Sequence, residues 1–351
     1  MRSRDLILSV VIDFGTTNDV PPGKQPIIFY SSDARPLYKA DVFHCLALPD
    51  CYTIQFRYPR EFVHPDIAAN PGAIIGGFGI VVFVAGNDQT VAAEARILTF
   101  HSIRFCTVKD AAFDVHTRQL LVILQLHQFV NCEVAPEHPL RFFVTKGIIS
   151  SYQPSDWLDC ANRVKAWYPE TVFFRLNRVL LNTERVSPSY LKYFQMSRFD
   201  LHEQTDYSLE CLYFDPSARG DAPLSMQSDS PLIQLSNTFV AGAGAELDKR
   251  YIHLKTGVLT SRSDRAFITF STSRAQPPAD HNDLQILWEI RRKKWKDWLF
   301  AGCVLVSALG LGMVQIGTKI PGSLWAVLLV LFGGGCVATG AALLYRYFNK
   351  T

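Results

Sequence analysis

The stretch RQLLVILQLHQFV, residues 118–130, is a short apolar run with β-branched and aromatic side chains, a composition typical of a β-strand. Similar runs, bounded by proline, glycine, asparagine and aspartate, recur through the first 150 residues: DLILSVVIDF, QPIIFYS, ADVFHCLAL, CYTIQFRY, EARILTFHSIRFCTV and LRFFVTKGIIS. Helical caps with a 3.6-residue periodicity are scarce there. Strands in succession without intervening helices predict an antiparallel sandwich or barrel.

The following segment mixes helix and strand signals. PSDWLDCANRVKAWYP is predicted to be a helix capped by Ser155 and ended by Pro169, and SPSYLKYFQMSR a second helix with Ser187 as cap and Pro188 at its first position. Strand patterns return in SLECLYF, RYIHLKTGVLT and AFITFS. Residues 1–275 are therefore predicted to form one β-rich α+β cytosolic domain that senses or binds a ligand.

One internal segment, IAANPGAIIGGFGIVVFVAGN at residues 67–87, carries no charge. Its proline and glycines weaken a helix, whereas its isoleucines and valines favour a strand. We predict a buried strand or hairpin, with a third membrane segment as the alternative.

The C-terminal region contains two long uncharged runs, at residues 298–317 and 324–345. Each reaches the roughly 20 helical residues that a bilayer core about 30 Å thick requires. The pattern predicts two transmembrane helices joined by the short turn TKIPGS. A linker and amphipathic basic helix at 276–297 precedes this hairpin, and a cytoplasmic tail, 346–351, follows it.

Cations predict the orientation of the hairpin. RRKKWK, residues 291–296, precedes the first run, and Arg346 and Lys350 follow the second, while the turn contains only Lys319. The positive-inside rule then places both flanks in the cytoplasm. The predicted location is the inner cell membrane, multi-pass, with both termini cytoplasmic.

Composition gives little support for a metal site, a disulfide framework or an enzyme. The eight cysteines form no C-x-x-C pair, and no Walker loop, G-x-S-x-G elbow or H-E-x-x-H motif is present. We therefore predict no metal, no cofactor, no catalytic residue and no enzymatic activity. The formal net charge of +3 shows no strong overall basic bias.

VVIDFGTTNDV, residues 10–20, resembles the first phosphate loop of the actin, hexokinase and heat-shock ATPase superfamily. The resemblance implies a nucleotide bound beside Asp13. The candidate second loop, AAFDVHTRQLLVI, lacks the glycines of that superfamily, and TFVAGAGAELDKR matches the adenosine-binding turn only loosely. We therefore predict that residues 10–20 form a strand with a polar turn.

Between residues 171 and 199, arginines and lysines alternate with aromatic residues. Guanidinium groups bind phosphates bidentately and aromatic faces stack on bases, so the pattern suits an anionic ligand. The alternative is a solvated basic face over aromatic core residues. The candidate ligand-binding residues are Arg175, Arg178, Arg185, Lys192, Arg198, Tyr190 and Tyr193.

Small residues recur at helix-packing spacing in the two uncharged runs. Such residues let helices approach closely, either within one hairpin or between copies. The candidate helix-packing or pore residues are Ala308, Gly312, Gln315, Gly334, Ala338 and Ala342.

Two functional hypotheses follow. In the first, the cytosolic domain binds a ligand and controls an oligomeric hairpin that opens an ion-permeable pore or disrupts the membrane. This architecture resembles the membrane effectors of prokaryotic antiviral signalling systems, although no motif carries the resemblance. In the second, the hairpin passively anchors an accessory or enzymatic subunit. The expected partners are the lipid bilayer, further copies of the chain, a nucleotide or nucleic acid, and a protein regulator.

Overall fold

The computed structural model of the 351-residue chain describes a defined set of residues. They are 25–32, 36–86, 98–136, 141–168, 171–215, 224–236, 239–240, 247–272, 283–319 and 324–349. The segment VVIDFGTTNDV, with the predicted strand and polar turn, lies outside these residues.

The described residues form a β-rich fold. The strands are β1 (Ile27–Ser32), β2 (Thr53–Pro59), β3 (Phe78–Ala85), β4 (Thr99–Phe113), β5 (Gln119–Pro136), β6 (Val144–Pro154), β7 (Phe173–Leu181), β8 (Glu184–Val186), β9 (Ser189–Leu191), β10 (Met196–His202), β11 (Asp206–Phe214), β12 (Leu224–Ser228), β13 (Ile233–Leu235), β14 (Phe239–Val240), β15 (Asp248–Thr256), β16 (Ser263–Thr272) and β17 (Leu284–Arg291). The helices are α1 (Pro36–Ala47), α2 (Pro65–Ala69), α3 (Trp157–Lys165), α4 (Lys294–Lys319) and α5 (Leu324–Asn349).

The first sheet closes on itself. Its order is β2-β5-β4-β3-β1-β6, and β6 also pairs with β5. β5 makes this closure because its early part pairs with β2 and β4, whereas its late part, 130–136, pairs with β6. Register shifts in β4 and β5 bend these strands, as β-bulges do. One neighbouring pair, β1 and β3, is parallel, so the prediction of an antiparallel sheet is wrong there.

The strands β1 and β3 are buried on both faces. Ile28 and Tyr30 face the inside of the closed sheet, while Ile27 and Phe29 join the larger core outside it. A strand covered on both faces needs apolar residues at nearly every position. This explains the uncharged run at 67–87, where the predicted buried strand is confirmed as β3.

Residues 40–48, ADVFHCLAL, belong largely to a helix and were wrongly predicted as a strand. α1 covers Pro36–Ala47 and buries Val42, Phe43 and Leu46 against the outer face of the closed sheet. Spacings of three and four residues place these side chains along one helical face. The aromatic and β-branched composition indicated a strand, but the spacing fits a helix.

Two further sheets follow in the chain. The second sheet has the order β14-β12-β16-β17-β10-β9, and the third has the order β13-β15-β11-β7-β8. Their buried side chains join those of α1, α3 and the closed sheet in one apolar core. The strands predicted in SLECLYF, RYIHLKTGVLT and AFITFS are present as β11, β15 and β16.

Of the two helices predicted in this half of the chain, one is present and the other is not. α3 is present, but its cap is Asp156, whose carboxylate accepts a hydrogen bond from the Asp159 amide, and not Ser155. SPSYLKYFQMSR is not a helix. β9 and β10 pair as a hairpin there, and Gln195 has a left-handed φ of 51°. A residue in the left-handed region does not continue a right-handed helix, so no helix can run through Gln195.

The amphipathic helix predicted near residues 283–297 is replaced in its first part by β17. This strand lies between β16 and β10 in the second sheet, pairing antiparallel with one and parallel with the other. Tertiary pairing on both sides outweighs the helical propensity of its leucine, glutamine and glutamate residues. α4 begins only at Lys294.

In the part of the chain that the structure describes, no helix is both long and apolar enough to cross a lipid bilayer. The predicted transmembrane helices at 298–317 and 324–345, and the fold class that included them, are therefore wrong.

Every prediction that depended on this hairpin is corrected by the same finding. These predictions are the multi-pass inner-membrane location with cytoplasmic termini, the ion-permeable or membrane-disrupting effector, and the passive membrane anchor. The resemblance to antiviral membrane effectors rested on the same two spans and therefore loses its basis.

Candidate functional site

The structure divides the predicted ligand-binding residues between two sheets. Arg175 and Arg178 lie on β7 and Arg185 on β8, all in the third sheet. The others lie at the β9–β10 hairpin of the second sheet: Tyr190 on β9, Lys192 and Tyr193 in the turn, and Arg198 on β10. The seven residues therefore do not form one site.

The outer side of the third sheet carries four cations and one aromatic residue that together we call the basic face: Arg175, Arg178, Arg185, Lys249 and Tyr251. Strand register places these residues together. Glu210 on β11 pairs with Arg178 on one side and Tyr251 on the other, and the next residue on that side of β11, Leu212, pairs with Arg175 and Lys249. Side chains directly opposite each other in a sheet point to the same side.

Several members of the basic face are open to solvent. Arg178 and Lys249 are exposed, and Tyr251, on β15, is 54% exposed. His253 and Lys255, further along β15, are exposed as well. The face is thus a broad open surface with an aromatic ring among its positive charges.

A bulge on β7 shapes the centre of this face. The register shifts between Glu210 and Cys211, and Asn177 is the extra residue on the opposite strand. The Asn177 side-chain amide donates to Glu210 Oε1, Lys249 Nζ lies 3.2 Å from the same oxygen, and Tyr251 Oη donates to Oε2 at 3.3 Å. Although burial opposes it, the hydrogen bonds from Asn177 and Lys249 hold the pKa of Glu210 below its usual value.

At the edge of the basic face lies an arginine cluster, which consists of Asp50, Arg104, Arg175 and Arg185. Asp50 Oδ1 accepts hydrogen bonds from Arg104 Nη2 at 2.5 Å and from Arg175 Nη2 at 2.8 Å. Arg185 Nη2 lies 3.4 Å from the Asp50 carbonyl oxygen and 3.9 Å from Oδ2. Three guanidinium groups therefore share one carboxylate.

Arg104 is fully buried and holds the cluster to the closed sheet. Its Nε donates to the His127 carbonyl at 2.7 Å, and its Nη1 donates to the carbonyls of Cys45 at 3.0 Å and Leu48 at 2.7 Å. The last two oxygens lie at the C-terminal end of α1, where helix carbonyls lack intrahelical partners. Arg104 thus caps α1 and binds Asp50 with one side chain.

Arg175 is a buried member of the cluster with other guanidinium groups around it. Burial lowers its pKa to about 10, and the positive charges of Arg104, Arg185 and Arg178 act in the same direction, against Asp50. Among the described atoms, its buried Nε has no hydrogen-bond acceptor. The guanidinium also lies over the Phe129 ring, 4.6 Å from the centroid, and Arg104 lies over the same ring at 4.5 Å.

The arginine of the β9–β10 hairpin is paired differently from those of the arginine cluster. Arg198 is buried between Asp200 and Glu289, which Arg291 and Arg265 also approach. Its charge is therefore already neutralised by protein carboxylates.

At the tip of the same hairpin the Tyr193 side chain is fully exposed, and Arg265 lies over the Phe194 ring at 4.7 Å. Gln195 ties the turn to Asp110 of β4 through a hydrogen bond of 2.8 Å. The tip is thus an exposed aromatic turn fixed to the closed sheet.

The predicted helix-packing residues mostly face away from the contact between α4 and α5. Ala308, Gln315, Gly334 and Ala338 are exposed and Gly312 is half-buried, while the Ala342 side chain lies outside the described residues. Other residues make the contact, among them Gly310, Gly333 and Gly340.

The described ranges contain no group of three His, Cys, Asp or Glu side chains placed to hold a metal ion. The candidate second phosphate loop, residues 111–123, forms the turn between β4 and β5, where Asp114 accepts a hydrogen bond from the His116 amide.

The half-buried imidazole of His127, beside the arginine cluster, should make stability depend on pH. Burial, together with the positive charges of Arg104 and Lys109, lowers its pKa to about 4. An unfolded histidine has a pKa near 6.5. The stabilising contribution is therefore complete above pH 6.5 and lost as the pH falls from about 6.5 to 4.

Between pH 7 and 5 this linkage should remove about 2 kcal/mol of stability. Urea unfolding measured across that range should show the decrease in the wild type and a smaller decrease, by about 2 kcal/mol, in His127→Gln. If the free energy of unfolding fell equally with pH in the two proteins, His127 would have the same pKa in the folded and the unfolded state.

The fold and the site together define a β-rich protein with a closed first sheet and an open basic face on its third sheet. No protein-family model matches the chain, and no curated protein matches it either.

Proposed function

We propose that the protein binds single-stranded nucleic acid through the basic face. The proposal is supported chiefly by the unequal charge of the arginine cluster, in which three guanidinium groups share the Asp50 carboxylate. Buried charges are costly unless they are paired. A ligand phosphate beside Arg185, whose side chain is open to solvent, would supply negative charge at the exposed edge of this cluster.

The spread of the cations favours an extended polyanion. Arg185, Arg178 and Lys249 lie on β8, β7 and β15, and β11 separates the last two strands. With about 4.8 Å between neighbouring strands, the charges extend over roughly 14 Å. Arginine forks bind phosphate oxygens bidentately, so successive phosphates could each meet one cation.

Tyr251 adds a surface for a base. Its ring is half exposed and lies on β15 beside Lys249, whose Nζ is 5.4 Å from the ring centroid. Base stacking on aromatic side chains accompanies electrostatic contacts in proteins that bind single strands with little sequence preference. The arrangement favours binding over catalysis, because Glu210, the carboxylate at its centre, is already held by Asn177, Lys249 and Tyr251.

The test is the binding of a fluorescently labelled single-stranded oligonucleotide of 12 nucleotides, followed by anisotropy at several salt concentrations. Arg178→Ala removes an exposed guanidinium and should weaken binding about 5- to 10-fold at moderate salt. The slope of log affinity against log salt should decrease by about 0.7, the value for one phosphate contact on a single strand.

The matched control is Arg250→Ala. Arg250 is also exposed on β15, but it lies between Lys249 and Tyr251 in sequence and so points to the other side of the sheet. Its loss should change affinity less than about twofold. Equal effects of the two substitutions would contradict the proposal. So would a mononucleotide that binds as tightly as the oligonucleotide, because the ligand would then be a single nucleotide.

A further inference from the structure

The contact between α4 and α5 is made by small residues, which leaves large apolar side chains outside. A Cβ added to Gly310 would lie 2.6 Å from the Gly333 carbonyl oxygen, and one added to Gly333 would lie 2.6 Å from the Gly310 carbonyl oxygen. The backbones therefore touch at this point. Further along, Gly340 packs against Ser307.

One side of this helix pair forms an apolar groove. The groove has a volume of about 410 Å³ and is lined by Val306, Leu331, Phe332, Gly335, Cys336 and Thr339. No described heavy atom lies within 4 Å of a Cβ built on Gly335, so the floor of the groove is open. Its rim protrudes, with Leu331 67% and Phe332 69% exposed.

The apolar area on this side is large enough for a specific contact. Leu309 and Met313 on α4 and Leu328 on α5 lie on the same helical faces as the lining residues and are exposed too. With roughly 150 to 200 Å² for each fully exposed large side chain, the side offers on the order of 500 Å². A pair of such surfaces buries about 1,000 Å², the lower bound for a specific interface.

We propose that the groove is occupied by a second copy of the same helix pair. The groove and the protruding Leu331 and Phe332 lie on one face, so a two-fold axis places the rim of each copy in the groove of the other. The surface is complementary to itself in size and in chemistry. The proposal is independent of nucleic-acid binding, because the basic face lies on the third sheet.

Gly335→Leu in the full chain tests the proposal. A leucine there meets open space within its own copy, so the helix pair is retained, but it fills the groove that the partner would occupy. Light scattering after size-exclusion chromatography should show a dimer for the wild type. The dimer dissociation constant of Gly335→Leu should be at least about tenfold higher.

Gly334→Leu is the matched control. It makes the same change one residue earlier, about 100° around the helix, and also meets open space. Its dissociation constant should stay within about twofold of the wild type. A monomeric wild type would overturn the proposal, as would a dimer that only Gly334→Leu weakens, because the contact would then lie on another face.

Discussion

Arg104→Met should destabilise the protein by about 3 to 5 kcal/mol, measured by urea unfolding at pH 7. The Arg104 guanidinium is fully buried and donates to three backbone carbonyls and to the Asp50 carboxylate. Methionine fits a similar volume but donates nothing. The carbonyls of Cys45, Leu48 and His127 would then lose a buried partner, and each such loss costs about 1 to 3 kcal/mol.

The location of Arg104 explains why the expected effect is large. Its hydrogen bonds join β4 and β5 of the closed sheet to the end of α1 and to Asp50, which in turn binds Arg175 of the third sheet. One side chain thus connects three parts of the fold. Removing it also relieves repulsion with Arg175, which keeps the cost below the sum of the separate hydrogen bonds.

Arg250→Met provides the comparison. Arg250 is exposed and forms an ion pair of 2.7 Å with the half-buried Asp248. Exposed pairs contribute about 0 to 1 kcal/mol, so this variant should unfold at nearly the wild-type urea concentration. Similar losses in both variants would mean that the buried network around Arg104 contributes no more than a surface pair.

The sequence patterns predict strands better than they predict how the strands associate. The run at 118–130 is a strand, but its closure with β6 depends on residues 130–136 and on register shifts in β4 and β5. β17 was predicted as a helix because Leu, Gln and Glu favour helices locally. Pairing with β10 and β16 determines its conformation, and no short-range pattern contains that information.

The same limit applies to the site. Arg175, Arg178 and Arg185 are visible as a basic stretch, but Asp50 is 125 residues from Arg175 and 54 from Arg104 in the chain. The sequence contains one indication that Arg104 is special, because it is a single cation inside the apolar strand pattern TFHSIRFCTV. A charge in such a position is rarely buried without a partner. Lys249 and Tyr251 reach the basic face only through the pairing of β11 with β15.

Reversing two charges of the basic face should abolish most nucleic-acid binding. In Arg178→Glu with Arg185→Glu, two phosphate contacts are lost and two carboxylates repel the polyanion, so affinity for the 12-nucleotide single strand should fall roughly 100-fold or more. The Asp50 carboxylate would still be bound by Arg104 and Arg175, which keeps the buried part of the cluster intact. Urea unfolding should therefore remain within about 1 kcal/mol of the wild type.

A control with the same net charge separates a local contact from the general field of the protein. Each Arg→Glu change removes two positive units, so the double variant takes the formal net charge from +3 to −1. Arg250→Glu with Arg262→Glu makes the same change at exposed positions outside the basic face. We expect less than about a fivefold loss from this control, because Arg250 points to the other side of the third sheet and Arg262 lies outside that sheet, so neither contacts a strand bound on the basic face. An equal, 100-fold loss would show that the oligonucleotide responds to the overall charge of the protein and does not bind the basic face.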